Sequence, residues 1–301
     1  QSMDASSDGT WTAELPGDRK GLFYTFGIFY DGRWLSETPG VRAKAVGVNG
    51  DRAAIVDLRE TDPEGWEKDL RPPMSSPTDI VIYEMHHRDL SIAPDSGVKH
   101  KGKYLALTEE GTRSAEGLAT GLDHLKELGV THVHLLPSFD FGSIDESRLQ
   151  DGVYDWGYDP KNYFVPEGSY ATDPYDPAVR IREFKQMVRS LHRNGIRVVM
   201  DAVYNHTHRT EESNFSLTVP GYYYRHEADG SFSDATGCGN ETASERAMMR
   251  RLIVDAVCYW AEEYHVDGFR FDLMGVHDIG TMNEVRRALD RIDPSILLYG
   301  E

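Results

Sequence analysis

The sequence predicts an α/β fold, an incomplete (β/α)8 TIM barrel that follows the end of a small antiparallel β-sandwich module. Two observations predict the barrel. Strand-like and helix-like segments alternate from residue 79 to residue 301, and acidic residues recur where the strands end. About five of the eight strands of such a barrel can be recognised. We therefore divide the chain into a β-sandwich part at 1–62, a linker at 63–78 and the first part of the barrel at 79–301.

The composition excludes several classes of function. Lys and Arg total 32 against 50 Asp and Glu, which gives a formal net charge of -18. Nucleic acids and anionic membranes are bound through Lys and Arg, so neither is an expected partner. No apolar run is long enough for a membrane span. The two cysteines, Cys238 and Cys258, suffice for neither a disulfide framework nor a zinc site, and they leave the cellular compartment open.

The first 62 residues alternate short apolar runs with turn residues. Asp-Gly at 31–32 and Asn-Gly at 49–50 lie between apolar stretches, and such pairs are typical of β-hairpins. A closing strand is predicted at 53–58. These strands are too few for a complete sandwich. The following stretch, 63–78, is rich in Pro and charge, which indicates a linker.

The second part of the chain alternates buried-strand runs with segments of helical period. Strands are predicted at 80–86, 130–137, 196–201, 266–272 and 296–301. Helices are predicted at 122–128, 182–192, 245–263 and 279–289. Such alternation indicates a parallel sheet, either open and doubly wound or closed into a barrel.

Spacing favours the barrel over the open sheet. Asp272 and Glu301 are 29 residues apart, close to the roughly 31 residues of one unit of a plain eightfold barrel. Asp201 and Asp272 are 71 residues apart. The excess predicts an inserted loop of about 40 residues after Asp201, at the end of the barrel where such enzymes build their sites.

Charged side chains follow three successive predicted strands. Asp201 ends one strand, Arg270 and Asp272 the next, and Glu301 the last, with His206 shortly after the first. Because neighbouring strand ends converge on one barrel face, these side chains are expected to meet. Two carboxylates with an Arg and a His suit retaining glycoside hydrolysis. One carboxylate attacks the anomeric carbon, and the other, about 5–5.5 Å away, protonates the leaving oxygen.

Each of these residues also has a plain structural interpretation. Asp201 could cap a helix. Arg270 and Asp272, two residues apart on one strand, could form a structural ion pair. Their occurrence together on successive strands makes the structural interpretation the less favoured one.

Three motifs, in order, resemble conserved regions of the α-amylase superfamily: Asp-Ala-Val-Tyr-Asn-His-Thr at 201–207, Gly-Phe-Arg-Phe-Asp-Leu-Met-Gly at 268–275 and Tyr-Gly-Glu at 299–301. Tyr-Asp-Trp-Gly-Tyr-Asp-Pro at 154–160 is similar to the Tyr-Asn-Trp-Gly-Tyr-Asp-Pro signature of type I pullulanases. The residues at 271–278 and 237–241 also resemble this family, and 43–50 resembles the end of its starch-associated β-sandwich. The chain thus resembles the N-terminal part of the catalytic region of a type I pullulanase.

The resemblance implies roles for the charged residues. Asp272 would be the nucleophile, and Glu301 the acid and then the base. Arg270 would hold Asp272 ionised and oriented. Asp201 and His206 would hydrogen-bond the sugar at the cleaved bond.

The resemblance also implies residues that line the cleft. Tyr158 would stack beneath that sugar, although it could instead be a core aromatic. The second-rank candidates for lining the cleft are Trp156, Leu273, Met274 and Asn240.

The function that the resemblance implies is debranching. The parent enzyme would cleave α-1,6-glucosidic linkages in pullulan, limit dextrin, amylopectin or glycogen, with retention of configuration. The alternatives are an isoamylase-like or glycogen-debranching enzyme and a non-catalytic glucan-binding fragment. No cofactor is required. Calcium is possible, because Asn205 matches a position that binds calcium in α-amylases, but a hydrogen-bonding role for Asn205 is favoured.

The sequence departs from the family pattern in two places. Asp155 stands where the pullulanase signature usually has Asn, so a neutral donor is exchanged for a charge. The fourth conserved region, with a His and a third catalytic Asp, is absent, as are strands six to eight. We therefore expect the 301-residue chain to be inactive alone and to require the C-terminal remainder of the same enzyme as a partner.

Overall fold

The computed structural model describes residues 1–301 and contains thirteen strands and five α-helices. The strands are β1 (Asp4–Ala5), β2 (Trp11–Thr12), β3 (Phe23–Tyr24), β4 (Phe29–Tyr30), β5 (Arg33–Trp34), β6 (Ala53–Ala54), β7 (Ile82–Met85), β8 (His132–Leu135), β9 (Phe139–Phe141), β10 (Pro160–Pro166), β11 (Arg197–Ala202), β12 (Gly268–Phe271) and β13 (Leu297–Gly300). The helices are α1 (Gly121–Leu128), α2 (Pro177–Arg193), α3 (Asn214–Thr218), α4 (Ala247–Glu263) and α5 (Ile279–Ile292).

A parallel sheet of five strands forms the centre of the molecule, in the order β13-β12-β11-β8-β7. A helix lies between each pair of consecutive strands of this sheet along the chain: α1, α2, α4 and α5 in turn. The order of the strands therefore follows the chain, as in the first five units of a (β/α)8 barrel. The predicted fold class is confirmed.

The edge strand β7 differs from the prediction. The run at 80–86 was expected to be buried, yet Val81 and Ile82 are 51% and 41% exposed. That part of the prediction is wrong, because β7 pairs only with β8 and has no neighbour on its other side. An apolar run of this kind is buried only inside a completed sheet.

An antiparallel pair of strands, β9 and β10, was not predicted. These strands follow β8 and pair with irregular register. The chain between them carries the motif at 154–160, so the pair places that motif above the carboxyl ends of the central sheet. Trp260 of α4 donates a hydrogen bond from Nε1 to the carbonyl oxygen of Tyr163 on β10, at 2.9 Å, and so fixes β10 to the barrel.

The first part of the chain contains only two-residue strands. These pair as β1 with β2, β3 with β6 and β4 with β5. The predicted closing strand at 53–58 is limited to β6. A turn at Asn49 fixes this part to the barrel: its backbone N–H donates to Glu146 Oε2 at 2.7 Å, and its Oδ1 accepts from the Glu146 N–H at 2.7 Å. The division at residues 62 and 78 remains a prediction.

The apolar core consists largely of aromatic side chains that pack between the sheet, the helices and β10. Its largest members include Trp260, Tyr104, Tyr204, Tyr264 and Phe184, all fully buried. None of the helices combines the length and the apolar character that a membrane crossing requires. Both cysteines are free thiols.

A buried charge network holds the predicted linker against the amino ends of the barrel strands. Asp69 of the linker accepts hydrogen bonds from Nδ1 of His192 and Nδ1 of His265, each at 2.8 Å. The other ring nitrogen of His192 donates to Asp267 Oδ2 at 2.8 Å. Since both partners of His192 are carboxylates, the imidazole donates from both nitrogens and is a cation.

This network predicts a loss of stability at alkaline pH. Burial lowers the pKa of His192, but hydrogen bonds to Asp267 and Asp69 outweigh burial and raise it to about 9. The stabilisation is therefore complete below the ordinary histidine pKa of 6.5 and is lost as the pH rises through about 9. The shift corresponds to about 3 kcal/mol of unfolding free energy.

Urea unfolding of the protein and of His192→Gln, each at pH 6 and pH 10, checks this expectation. The variant should be less stable at pH 6 by about 3 kcal/mol, and the difference should largely vanish at pH 10. An equal difference at both pH values would contradict the proposed charge on His192.

Candidate active site

Three carboxylates surround one guanidinium at the carboxyl ends of β11, β12 and β13. Pairing of these strands places Arg270 beside Asp201 on one side and beside Tyr299 on the other. Arg270 Nη1 donates to Asp201 Oδ1 at 2.8 Å and to Asp272 Oδ1 at 2.9 Å, and Nη2 contacts Glu301. The structure therefore brings these four side chains together, as strand-end convergence predicts.

Asp272 is nearly buried and held at both carboxylate oxygens. Oδ1 accepts from Arg270, and Oδ2 accepts from Nδ2 of Asn205 at 2.8 Å. The same Asn205 amide donates to the Asp272 carbonyl oxygen at 2.9 Å. Burial raises the pKa of Asp272 and the nearby Asp201 adds to this, whereas Asn205 and Arg270 act in the opposite direction. The carboxylate is thus fixed in orientation beside a cation.

Asp201 does not fit the role that the resemblance implies. Its side chain is wholly buried. Besides Arg270, Oδ2 accepts from the hydroxyl of Tyr158 at 2.7 Å and faces Nε2 of His134 at 3.1 Å. A carboxylate with no exposed surface and with both oxygens engaged cannot contact a sugar directly. Its contacts instead position Arg270 and Tyr158.

His206 also differs from the expectation of a sugar contact. Its Nε2 donates to the carbonyl oxygen of Tyr158 at 2.7 Å, and Nδ1 lies 2.5 Å from Oδ1 of Asn205. The residue is buried, which lowers the pKa of His206. Nε2 therefore binds the Tyr158 turn, and Nδ1 lies beside the Asn205 amide that holds Asp272.

His134 is a site residue that the sequence analysis missed. It lies near the end of β8, is buried, and faces both Asp201 Oδ2 and Glu84 Oε2. The available signal was a pair of histidines, His132 and His134, inside a strand run that is otherwise mostly apolar. Only the register between β8 and β11 shows that it points toward Asp201.

The motif at 154–160 forms a tight turn with two aromatic side chains at the cleft. Tyr158 is half-buried and bound to Asp201 through its hydroxyl, whereas Trp156 is 61% exposed. Gly157 has a φ of +90°, and a Cβ there would lie 2.8 Å from the carbonyl oxygen of Pro137. Glycine is therefore required, and the turn packs closely on the end of β8.

Leu273 and Met274 follow Asp272 directly. Leu273 adopts a φ of 44° and begins a short 3-10 helix, Met274–Val276. Met274 packs on Gly300, where a Cβ would lie only 2.4 Å from the Met274 Cβ. Both side chains are half-buried beside the carboxylates, as cleft-lining residues would be.

Asn240 does not line the cleft, contrary to the expectation. It is buried, accepts from the Thr207 N–H at 3.0 Å through Oδ1 and donates to the Thr207 carbonyl oxygen at 3.0 Å through Nδ2. Its amide thus closes the inserted loop onto the segment that follows β11. A buried amide satisfied by backbone groups has a structural role.

The residues that could hold a metal ion do not fit calcium. Carboxylate oxygens of Asp140, Glu146 and Glu167 lie within 4.8 Å of one another. However, Arg180 donates to Asp140 at 2.9 Å and to Glu146 at 2.7 Å. Each Glu167 oxygen accepts a backbone N–H. Asn205 is equally committed, since it donates to Asp272 and its oxygen faces His206. No set of uncommitted oxygen atoms therefore remains among these residues to bind a calcium ion.

Comparison with known proteins identifies relatives of this arrangement. Residues 84–226 match the family model described as the alpha amylase catalytic domain. The pullulanase of Bacillus subtilis strain 168 is 48% identical over 299 residues, which cover 99% of this chain and 41% of that protein. Isoamylase 3 of rice (Oryza sativa subsp. japonica), a chloroplastic protein, is 34% identical over 230 residues, which cover 72% of this chain and 28% of that protein.

A solved structure agrees closely with the fold. The crystal structure of the pullulanase from Paenibacillus barengoltzii in complex with maltohexaose and alpha-cyclodextrin superposes with a TM-score of 0.97 at 57% sequence identity. The match covers 99% of this chain and 46% of that one. The chain therefore spans less than half the length of the pullulanases that it matches.

Proposed function

Because the chain belongs to the α-amylase family and corresponds to the N-terminal part of the catalytic region of its pullulanases, we propose that it supplies the nucleophile and the acid of a debranching enzyme. The enzyme would cleave α-1,6-glucosidic linkages in pullulan and branched α-glucans with retention of configuration. One observation carries this proposal: a single guanidinium, Arg270, contacts Asp201, Asp272 and Glu301 at once.

In the first step, a carboxylate oxygen of Asp272 attacks the anomeric carbon, and Glu301 gives a proton to the departing glycosidic oxygen. This step leaves the sugar covalently bound to Asp272. In the second step, Glu301 takes a proton from water, the water oxygen attacks the anomeric carbon, and the Asp272 carboxylate is released. Retention requires the carboxyl groups to be about 5–5.5 Å apart, and their shared contact with Arg270 supports a separation of that order.

The surrounding residues orient the nucleophile and the sugar. Asn205 and Arg270 each hold one oxygen of Asp272, so its carboxylate is preorganised before the substrate binds. Tyr158 places its ring beneath the sugar at the cleaved bond, and Trp156 extends the aromatic surface of the cleft. Asp201 acts through Arg270 and Tyr158.

The proposed substrates are α-glucans. The pullulanase of P. barengoltzii was crystallised with maltohexaose and alpha-cyclodextrin, and a net charge of -18 suits an uncharged polymer rather than an anionic one. Pullulan, limit dextrin, amylopectin and glycogen are candidates. Two carboxylates supply all the proton transfers and the covalent step, so the proposal needs no cofactor.

A C-terminal remainder that supplies strands six to eight is the proposed protein partner. Both β7 and β13 are edge strands, with apolar side chains exposed at β7. The substrate cleft lies at the carboxyl end of the barrel, where the loops of all eight strands contribute. This chain together with such a remainder, in one polypeptide or two, is called the completed protein below.

The experiment is hydrolysis of pullulan by the completed protein and by the 301-residue chain alone. We expect the completed protein to release maltotriose and the isolated chain to release no detectable reducing ends. Appreciable turnover by the isolated chain would contradict the need for the remaining strands.

Two other outcomes would favour the alternatives. Debranching of amylopectin without cleavage of pullulan would indicate an isoamylase-like or glycogen-debranching enzyme. The rice isoamylase match, which covers less of this chain, makes that the weaker proposal. Binding of maltohexaose without turnover by the completed protein would indicate a non-catalytic glucan-binding role.

A further inference from the structure

A layer of polar side chains lies on one face of the central sheet, with one residue from each of its five strands. Residues that pair across a parallel ladder point to the same face, as do residues two positions apart on one strand. Glu84 pairs with His134, and Arg270 pairs with both Asp201 and Tyr299. The register between β8 and β11 connects these two groups. All five side chains therefore share one face of the sheet.

The sheet curves, so that this face encloses the interior of the barrel part. β8 and β13 are three strand spacings apart, which would be about 14 Å in a flat sheet. Yet the ring centroids of His134 and Tyr299 lie 6.2 Å apart, with an angle of 84° between the ring planes. Branched apolar residues usually fill the interior of such a barrel. Polar side chains placed there need partners, because a buried polar group without a hydrogen bond is costly.

The Oδ2 atom of Asp201 has three donors in this layer. It accepts from the Tyr158 hydroxyl at 2.7 Å, from Arg270 Nη1 at 3.0 Å and from His134 Nε2 at 3.1 Å. A carboxylate only accepts, so the Nε2 atom of His134 carries a hydrogen. Tyr158 lies on a turn, and Arg270 also contacts Asp272. His134 is therefore the donor that comes from a buried strand and serves Asp201 alone.

The imidazole ring of His134 is held in the orientation that this contact needs. His134 lies in β8, every residue of which is buried. On the side away from Asp201, Nδ1 lies 3.4 Å from Oε2 of Glu84, which is longer than an ordinary N–H···O hydrogen bond. The side chain of Glu84 is 64% exposed, and it belongs to the edge strand β7. The buried strand is thus the main support of the ring, with Nε2 directed at Asp201.

We propose that His134 is a positioning residue: through Nε2 it holds Oδ2 of Asp201 at the place where the hydroxyl of Tyr158 binds. Without this donor, Asp201 keeps Arg270, which contacts both carboxylate oxygens and leaves the position of Oδ2 less defined. The ring of Tyr158 then loses a fixed anchor beneath the sugar. The catalytic consequence rests on the proposed function.

Steady-state kinetics of the completed protein on pullulan, with His134→Leu and His134→Gln, tests this inference. Leucine removes the donor, so kcat/KM should fall about threefold to tenfold, as expected for one hydrogen bond lost. The loss should lie mainly in KM, because Arg270 still orients Asp272. Glutamine has an amide N–H that can replace Nε2–H, so it should keep kcat/KM within about twofold of the wild type.

His132→Leu is the matched control. His132 is also a buried histidine of β8, but its Nδ1 faces the Thr131 hydroxyl at 2.8 Å and it has no contact with Asp201. Its replacement should leave kcat/KM within about twofold of the wild type. If thermal unfolding shows that His134→Leu does not fold, His134→Asn takes its place. Asparagine keeps an amide but is one carbon shorter than glutamine, so it should lose activity where glutamine does not.

A double-mutant cycle with Tyr158→Phe separates positioning from a general structural role. Phenylalanine removes the hydroxyl that binds Asp201. If His134 acts through that contact, its replacement by leucine should change kcat/KM less than twofold in the Tyr158→Phe background. If it lowers kcat/KM by the same factor in both backgrounds, His134 acts independently of Tyr158, and the inference is overturned.

Binding of maltohexaose to the same proteins, measured by calorimetry, gives a readout that does not depend on turnover. Affinity should weaken about threefold to tenfold in His134→Leu and stay level in His134→Gln. If this difference appears without pullulan hydrolysis, the proposed function fails and the inference stands. If pullulan is hydrolysed and both variants match the wild type in kcat/KM and in affinity, the inference is wrong. Absence of both hydrolysis and the difference in affinity would contradict the two together.

Discussion

Replacing Asp272 by asparagine is expected to lower kcat for pullulan hydrolysis by the completed protein by at least about 10⁴-fold, the scale seen when a member of a covalent catalytic group is removed. The amide cannot form the covalent bond to the anomeric carbon. Asparagine keeps the size of the side chain and a carbonyl oxygen for Arg270 or Asn205, so the fold should persist. Reducing-end assays and thermal unfolding, run in parallel, measure both effects.

Asp278→Asn provides the matched control. Asp278 lies six positions after Asp272 in the chain. Its side chain caps the N-terminus of α5, where it accepts a hydrogen bond from the Thr281 N–H at 3.1 Å. Asparagine is an equally good N-cap, so activity should stay within about twofold of the wild type. If Asp272→Asn retains more than a few per cent of the wild-type rate, Asp272 is not the nucleophile.

Replacing Arg270 by methionine is expected to damage stability and catalysis together. The substitution removes the cation that Asp201, Asp272 and Glu301 share and leaves the wholly buried Asp201 without its charge partner. Loss of one partner of a buried ion pair costs about 3–5 kcal/mol. Arg270 also opposes the upward shift in the pKa of Asp272, so its loss raises that pKa further and reduces the ionised nucleophile.

Arg270→Lys separates charge from geometry. Lysine keeps the positive charge, but one ammonium group cannot bridge three carboxylates in the way that a planar guanidinium does. We expect it to recover most of the unfolding free energy measured in urea while kcat stays lower by about 10- to 100-fold. Equal stability of Arg270→Met and the wild type would show that Asp201 does not depend on this ion pair.

The sequence predicted the barrel part of the fold well because its signals are local. Apolar strand runs and helices of regular period alternate, and α1 ends at Gly129, which adopts the left-handed conformation that the helix end requires. The pair β9 and β10 was missed because the register between the two strands shifts twice and a long loop separates them in the chain. The exposure of β7 follows from the missing neighbour strand, which no local pattern reveals.

The candidate site was predictable to the extent that it lies at strand ends. Asp201, Arg270, Asp272 and Glu301 follow successive strands, so the parallel sheet alone brings them together. Packing decides what each side chain contacts. The burial of Asp201, the two protein contacts of His206 and the closing role of Asn240 depend on loops that fold back from elsewhere.

Trapping of the covalent intermediate tests the central claim most directly. The completed protein with Glu301→Gln would be incubated with α-maltotriosyl fluoride, whose leaving group needs no acid, and then digested for mass spectrometry. Because the variant lacks the base that activates water, a maltotriosyl adduct should accumulate on the peptide that contains Asp272. An adduct on another residue, or product of inverted configuration without any adduct, would contradict Asp272 as the nucleophile of a retaining enzyme.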